Sequence, residues 1–160
     1  MARWLGLDHG TKRIGIAVGD AATRVASPVG LLLANSADLA AQIAELVGRY
    51  DAVGIVVGWP INDDGSEGPQ ARQARLFAVD LSGQIGVDVR LWDERLSSFE
   101  ADQRLKGLLT RRQKRRRHDA VAAGAFLEDF LARGGPAAAP RATDASEFNA
   151  GEQQADAPGA

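Results

Sequence analysis

Three acidic residues lie in or beside apolar segments, where a carboxylate would need a partner that compensates its charge. Asp8 lies near the end of an apolar stretch typical of a strand, Glu94 follows another such stretch, and Asp119 heads the apolar face of a predicted helix. A lone buried carboxylate is costly or changes its protonation. Three carboxylates that meet cannot all stay charged without a cation, and hard oxygen ligands favour Mg²⁺ or Mn²⁺.

One or two such ions could support phosphodiester cleavage by activating water and stabilising the leaving oxygen. The sequence supplies matching positive charge in RRQKRRR at residues 111–117, which has six bases in seven residues and is called the basic run below. Arg and Lys bind phosphates, so the basic run indicates a nucleic-acid partner. The residues expected to contact nucleic acid are Lys12, Arg13, Arg111, Arg112, Lys114, Arg115, Arg116 and Arg117.

Each of these signals also has a simpler explanation. Asp8 could be a turn residue, and Glu94 a solvated acid paired with Arg95. Asp119 could complement the helix dipole in a first turn, and the basic run could be a solvated loop. Asp93, which is adjacent to Glu94, is an alternative metal ligand, and the spacing of the residues alone does not distinguish between the two acids.

The histidines and the acids of one loop are weaker signals. His118 is a candidate acid–base group, although a surface or capping role is the simpler interpretation. His9 is weaker still. A stretch rich in Gly, Pro and Asp is typical of a loop, and three acids in it are interpreted as solvated: Asp63, Asp64 and Glu67.

The order of apolar segments predicts an α/β fold. Strands are expected at residues 3–9, 14–19, 25–33, 51–58 and 87–92, and helices at residues 38–50, from 69, from 97 and at 118–131. A hairpin followed by βα crossovers predicts a mixed five-stranded sheet flanked by helices. If the first and fifth strands are close, Asp8 and Glu94 lie near one edge, and a helix starting over that edge adds Asp119.

Length and composition exclude several classes. The 160 residues are typical of one domain, and the absence of cysteine excludes disulfides, thiolate nucleophiles and cysteine zinc sites. No signal-peptide pattern or bilayer-length apolar stretch is present, which favours a cytoplasmic protein without a membrane partner. Residues 134–160 are rich in Ala, Gly and Pro and net acidic, so a disordered tail is expected there.

Four blocks of the sequence resemble a known family. They are LGLDHGTKRIGIAVGD, VVGWPINDDGSEGPQARQARLFA, LWDERLSSFEA and RRRHDAVAAGAFLEDFL, and they cover nearly all of residues 4–131. The chain resembles the YqgF family, also called RuvX, a family of Holliday junction resolvases or pre-16S rRNA nucleases. The resemblance implies a ribonuclease H-like nuclease domain over residues 1–133. By the motif, Asp8, Glu94 and Asp119 would be the catalytic and metal-binding acids of an endonuclease that uses one or two Mg²⁺ or Mn²⁺ ions.

The resemblance leaves the substrate open. Resolving branched DNA needs two coordinated cuts and hence a homodimer, whereas trimming a ribosomal RNA precursor does not, although the ribosome could serve as a scaffold. A scaffold that binds nucleic acid through the basic run without cutting is a second class. A third is a nucleotide-binding module, because LDHGTKRIGIAV is similar to the first phosphate loop of the actin and Hsp70-like superfold. That superfold needs a second such loop, and none is visible in the sequence.

Overall fold

One five-stranded sheet organises the protein. The computed structural model describes residues 2–96 and 111–145, with the backbone alone for Leu96 and residues 111–119. The strands are β1 (Arg3–His9), β2 (Arg13–Asp20), β3 (Ala26–Leu33), β4 (Ala52–Trp59) and β5 (Asp88–Asp93). The sheet order is β3-β2-β1-β4-β5, with β1 antiparallel to β2 and parallel to β4, which confirms the predicted mixed sheet.

Helices pack on both faces of this sheet. The helices are α1 (Leu39–Tyr50), α2 (Pro69–Gln84) and α3 (Arg111–Ala132). On one face, Ile43 of α1 and Leu81 of α2 pack with Leu5 of β1. On the other face, which we call the α3 face, Phe126 of α3 packs with Trp4. The helix predicted from residue 97 lies outside the described residues, and none of the described helices has the length and hydropathy to cross a membrane.

Helix α3 approaches the sheet closely because glycines lie beneath it. A Cβ added at Gly6 would lie 3.0 Å from the carbonyl oxygen of Ala123 and 3.1 Å from Leu127 Cβ. A Cβ at Gly19 would lie 2.8 Å from Leu131 Cδ1. Real Cβ atoms rarely have such near neighbours, so a side chain at either glycine would push the helix outward.

The contacts along α3 define its direction. The rings of Trp4 and Phe130 lie edge to face with centroids 5.0 Å apart, while Ala123 lies over Gly6. The helix therefore runs antiparallel to β1. Asp119 comes one helical turn before Ala123, so the helix backbone carries it toward the carboxyl end of β1.

Helix α3 begins earlier than the sequence predicts. The predicted start is His118, with the basic run as the segment before it, whereas the structure shows one helix from Arg111. Arg, Lys and Gln are good helix formers, and no Gly or Pro interrupts residues 111–118. Asp119 lies in the third turn of α3, so the alternative of a first-turn acid that complements the helix dipole is wrong.

Residues 134–145 pack along the outer edge of β5. The Leu91 N–H donates to the Pro140 carbonyl at 3.0 Å, and Arg90 Nη1 donates to the Ala139 carbonyl at 2.9 Å. Disorder from Gly134 onward is therefore the wrong prediction for residues 134–145, because small side chains fit tightly against the sheet edge. Residues 146–160 lie outside the described residues. Within residues 134–145 the buried alanines are Ala139, Ala142 and Ala145.

Replacing Gly6 by alanine should destabilise the protein by about 1–3 kcal/mol, because the new methyl group presses on the backbone of α3. The matched control is Gly48→Ala in α1, where an added Cβ meets nothing within 4 Å. We expect that control to be neutral or to stabilise by up to about 1 kcal/mol. Urea unfolding measures both, and a Gly6→Ala protein as stable as the wild type would contradict the close packing.

Candidate active site

Asp8 lies at the carboxyl end of β1 on the α3 face. Side chains alternate along a strand, and Trp4 packs on the α3 face while Leu7 packs on the opposite face. His9 also faces the opposite side, where its ring lies 4.7 Å from that of Phe77, and burial lowers the pKa of His9. Asp8 is half-buried and therefore remains reachable from solvent.

Glu94 lies over β4 on the same face. It opens a 3₁₀ helix, Glu94–Leu96, directly after β5. A Cβ at Gly58 would overlap Glu94 Oε1 and would lie 3.0 Å from Phe126 Cε1. The carboxylate thus occupies space that a glycine leaves beside α3. Burial, with a smaller contribution from the neighbouring Asp93 charge, raises the pKa of Glu94 to about 7.

The register of the sheet brings these two acids to one edge. Leu7 pairs with Val57, so Asp8 and Gly58 follow directly on neighbouring strands. Neighbouring strands are about 4.8 Å apart, and Glu94 covers Gly58. The expectation that Asp8 and Glu94 gather at the same edge of the sheet agrees with this placement.

The third predicted acid is placed only by its backbone. Asp119 lies one turn before Ala123, and the intervening Ala120 is buried. The side chains of Asp119 and His118 lie outside the described residues, so their roles stay predictions. Within the part of the chain whose side chains are described, no three His, Cys, Asp or Glu residues lie close enough to hold a metal ion.

Arg95 binds Asp93 and not Glu94. Its Nη2 lies 2.8 Å from Asp93 Oδ2, and its Nε donates to both carboxylate oxygens at 3.0 and 3.1 Å. Its Nη1 donates to the carbonyl of Asp63 at 3.1 Å. The alternative in which Glu94 is a solvated partner of Arg95 is therefore wrong. The Asp93 carboxylate is therefore paired with Arg95, whereas the Glu94 carboxylate lies over Gly58.

A buried ion pair holds the loop that follows β4. Glu67 receives two hydrogen bonds from Arg75, at 2.9 and 3.0 Å, and a third from the Trp59 indole at 2.8 Å. The side chains of Glu67 and Arg75 are only 6% and 9% exposed. The interpretation of Glu67 as a solvated loop acid is therefore wrong, because three hydrogen bonds from protein groups take the place of hydration by water at its carboxylate.

The candidate nucleic-acid contacts adjoin this edge of the sheet. Lys12 is exposed in the turn that follows β1, just beyond Asp8, and half-buried Arg13 is the first residue of β2. The backbone of the basic run forms the first two turns of α3, at the end of the helix that is directed toward the same edge. The side chains of the basic run lie outside the described residues, so its contacts stay predicted.

Comparison with known proteins shows the family. The family model described as "RuvX: Holliday junction resolvase" matches residues 2–133. The chain belongs to the RuvX family. Members of this family are nucleases, so this RuvX protein is a hydrolase that acts on nucleic acid. The YqgF or RuvX resemblance noted in the sequence is confirmed.

Curated relatives and a solved structure agree with this membership. A protein of Anaeromyxobacter dehalogenans is 47% identical over 137 residues, covering 84% of this chain and 99% of the relative. A protein of Myxococcus xanthus is 42% identical over 132 residues, covering 81% and 87%. Both are named "Putative pre-16S rRNA nuclease". The structure of Thermus thermophilus RuvC with a Holliday junction substrate aligns with TM-score 0.53 at 17% identity, covering 88% of this chain and 99% of RuvC. That likeness shows the ribonuclease H-like fold.

The raised pKa of Glu94 predicts a pH-dependent stability. An acid with a higher pKa in the folded state binds its proton more tightly when folded. Its contribution is fully present below the ordinary value of 4.5 and is lost as the pH rises through about 7. In metal-free protein this loss should be about 1–3 kcal/mol.

The variant Glu94→Gln should lack this part of the pH dependence, because an amide does not ionise. Urea unfolding in a chelator, at several values from about pH 4 to about pH 8, compares it with the wild type. Glu45→Gln, at an exposed site on α1, is the control that should keep the wild-type profile. Parallel profiles for the wild type and Glu94→Gln would contradict the burial of this carboxylate.

Proposed function

We propose that this RuvX protein is a divalent-metal-dependent endonuclease that cleaves structured nucleic acid, with Asp8, Glu94 and Asp119 as its catalytic acids. One observation carries the proposal: the Glu94 carboxylate is placed over Gly58, on the same face and edge of the sheet as Asp8. Family membership supports the nuclease activity. The backbone course of α3 toward that edge supports the inclusion of Asp119.

The chemistry of these residues fits Mg²⁺ or Mn²⁺. Glu94 is confined where burial disfavours its charged form, and such carboxylates are stabilised by a nearby cation. Asp8, Glu94 and Asp119 would hold one or two ions through hard oxygen donors. When bound, the ions supply activation of water and stabilisation of the leaving oxygen.

The protein's own residues would orient the acids and the substrate. Gly58 leaves room for Glu94, and the Phe126 ring borders the same space. Lys12, Arg13 and the basic run would bind phosphates and place the scissile bond at the sheet edge. His118, next to Asp119, is the candidate to donate or accept a proton there.

We favour a ribosomal RNA precursor as the substrate. Curated relatives at 47% and 42% identity carry the name "Putative pre-16S rRNA nuclease", whereas RuvC, whose structure is in complex with a Holliday junction substrate, is only 17% identical. This substrate would place the protein in the cytoplasm, with an immature ribosomal particle as partner. A four-way DNA junction is the second candidate because the family description names it, and it would require a homodimer.

Replacing Asp8 by asparagine should lower cleavage by about 100-fold or more, because the change removes a charged ligand while keeping the side-chain volume. Precursor rRNA and a four-way junction are assayed side by side with Mg²⁺ and with Mn²⁺. Asp80→Asn, an exposed site on α2, is the matched control and should cleave normally.

Unchanged cleavage by Asp8→Asn would defeat the assignment of that acid. Wild-type binding with no metal-dependent product from either substrate would favour the non-cutting scaffold. Binding of ATP without nuclease activity would favour the actin-like nucleotide module.

Neutralising part of the basic run should weaken substrate binding and flatten its salt dependence. The triple change Lys114→Gln, Arg115→Gln and Arg116→Gln keeps helix propensity similar. For every phosphate that the variant no longer binds, the slope of log affinity against log salt should fall by about 0.7–0.9. Arg49→Gln on α1 is the control. A slope unaffected by the triple change would exclude the basic run from the interface.

A further inference from the structure

Arg95 connects the end of β5 to the loop between β4 and α2, which spans residues 60–68 and is called the β4–α2 loop. Its Nε and Nη2 donate to the Asp93 carboxylate, and its Nη1 donates to the Asp63 carbonyl in the loop. Each nitrogen of the guanidinium therefore has a protein acceptor. Its planar fork suits such simultaneous contacts.

The same carboxylate also shapes the turn that carries Glu94. Asp93 Oδ1 accepts a hydrogen bond from the backbone N–H of Arg95 at 2.9 Å. A side chain that accepts from the N–H two residues later fixes a local turn. Glu94 is the residue between them, so the Asp93–Arg95 unit sets the direction in which Glu94 leaves the backbone, over Gly58.

The β4–α2 loop offers Arg95 a fixed attachment point. Its far end is held by the buried Glu67–Arg75 pair, whose atoms approach to 2.9 Å. Within the loop, the Asn62 N–H donates to the Ser66 carbonyl at 2.8 Å. Glu67 is fixed by three hydrogen bonds, one from Trp59 at the end of β4 and two from Arg75 of α2. These bonds hold the loop beside the candidate active site.

We propose that Arg95 is a positioning residue that holds Glu94 in its working orientation by joining Asp93 to the β4–α2 loop. The inference rests on the proposed function, in which Glu94 is catalytic. The competing role is direct binding of a substrate phosphate. All three guanidinium nitrogens donate to protein acceptors, which favours positioning over phosphate binding.

The kinetic test uses Arg95→Lys in the full-length protein. Lysine keeps the positive charge but cannot reproduce the fork. If Arg95 positions Glu94, kcat should fall by about 10- to 100-fold, while KM and the salt dependence of substrate binding change by less than about twofold. Arg49→Lys, at another arginine paired with an acid, is the matched control and should leave kcat unchanged.

The phosphate-binding alternative predicts a different pattern. Arg95→Ala would then raise KM and lower the salt slope by about 0.7–0.9, while Arg95→Lys would retain much of the wild-type affinity. That result would overturn the positioning role, as would wild-type kcat in Arg95→Lys.

A second readout does not depend on activity. Amide hydrogen exchange at residues 62–66 of the metal-free protein should be faster in Arg95→Lys than in the wild type or Arg49→Lys. Asp93→Asn should give a similar change, and combining it with Arg95→Lys should add little, because both remove the same interaction.

Unchanged exchange in Arg95→Lys would overturn the link between Arg95 and the loop. If the wild type cleaves neither substrate, the proposed function fails, and the exchange measurement still decides whether Arg95 holds the loop. Cleavage by the wild type together with full kcat in Arg95→Lys contradicts only the positioning role.

Discussion

The close approach of α3 to β1 is the constraint on which the candidate site depends. The Ala123 carbonyl lies where a Cβ at Gly6 would be only 3.0 Å away, so the helix reaches this depth because the strand has no side chain there. The antiparallel crossing then directs the start of α3 toward the carboxyl end of β1. This packing directs the backbone at residue 119 toward the edge where Asp8 lies, which supports our proposal that the two acids act together.

A second constraint is electrostatic. Gly58 leaves a space that Glu94 enters, and burial there works against the charge that the carboxylate would need as a ligand. Sites of function often retain such locally unfavourable features, which the surrounding fold maintains. In this protein the surrounding support includes Asp93 and Arg95, whose contacts hold the turn around Glu94.

Much of the sheet could be predicted because its strands carry clear apolar patterns. The run at β4, from Ala52, is covered on both faces and is apolar throughout, and the hairpin of β1 and β2 is marked by its short polar turn. The start of α3 could not be predicted in the same way. Arg and Lys are good helix formers, but they are also common in solvated loops. The basic run has no apolar periodicity that would distinguish a helix from a loop.

Composition is a misleading guide at residues 134–145. Ala, Gly and Pro are common in disordered segments, yet small residues also suit close packing against a sheet edge, as buried Ala142 shows. The burial of Glu67 was equally hidden, because it depends on a partner eight residues away. One signal was available: Arg75 lies beside Ala71, Ala74 and Ala78 on the apolar face of α2, where an unpaired arginine would be costly.

The placement of Asp8 and Glu94 at one edge followed from the strand order and the position of each acid at a strand end. Which of the two adjacent acids, Glu94 or Asp93, is directed toward this edge could not be predicted from the sequence. Adjacent residues differ only in the local backbone turn that sets the direction of each side chain. In the structure Arg95 pairs with Asp93, and this pairing supports our proposal that Glu94 is the ligand. Spacing in the sequence carries no information on which neighbour an arginine will bind.

The most direct test of the central claim is a crystal structure of the full chain grown with Mn²⁺, with the ion located by its anomalous scattering. Our account predicts an ion within about 2.5 Å of carboxylate oxygens from Asp8 and Glu94, with Asp119 as a further ligand. An ion held by Asp93 with Glu94 turned away, or no ion at this edge of the sheet at saturating Mn²⁺, would contradict it.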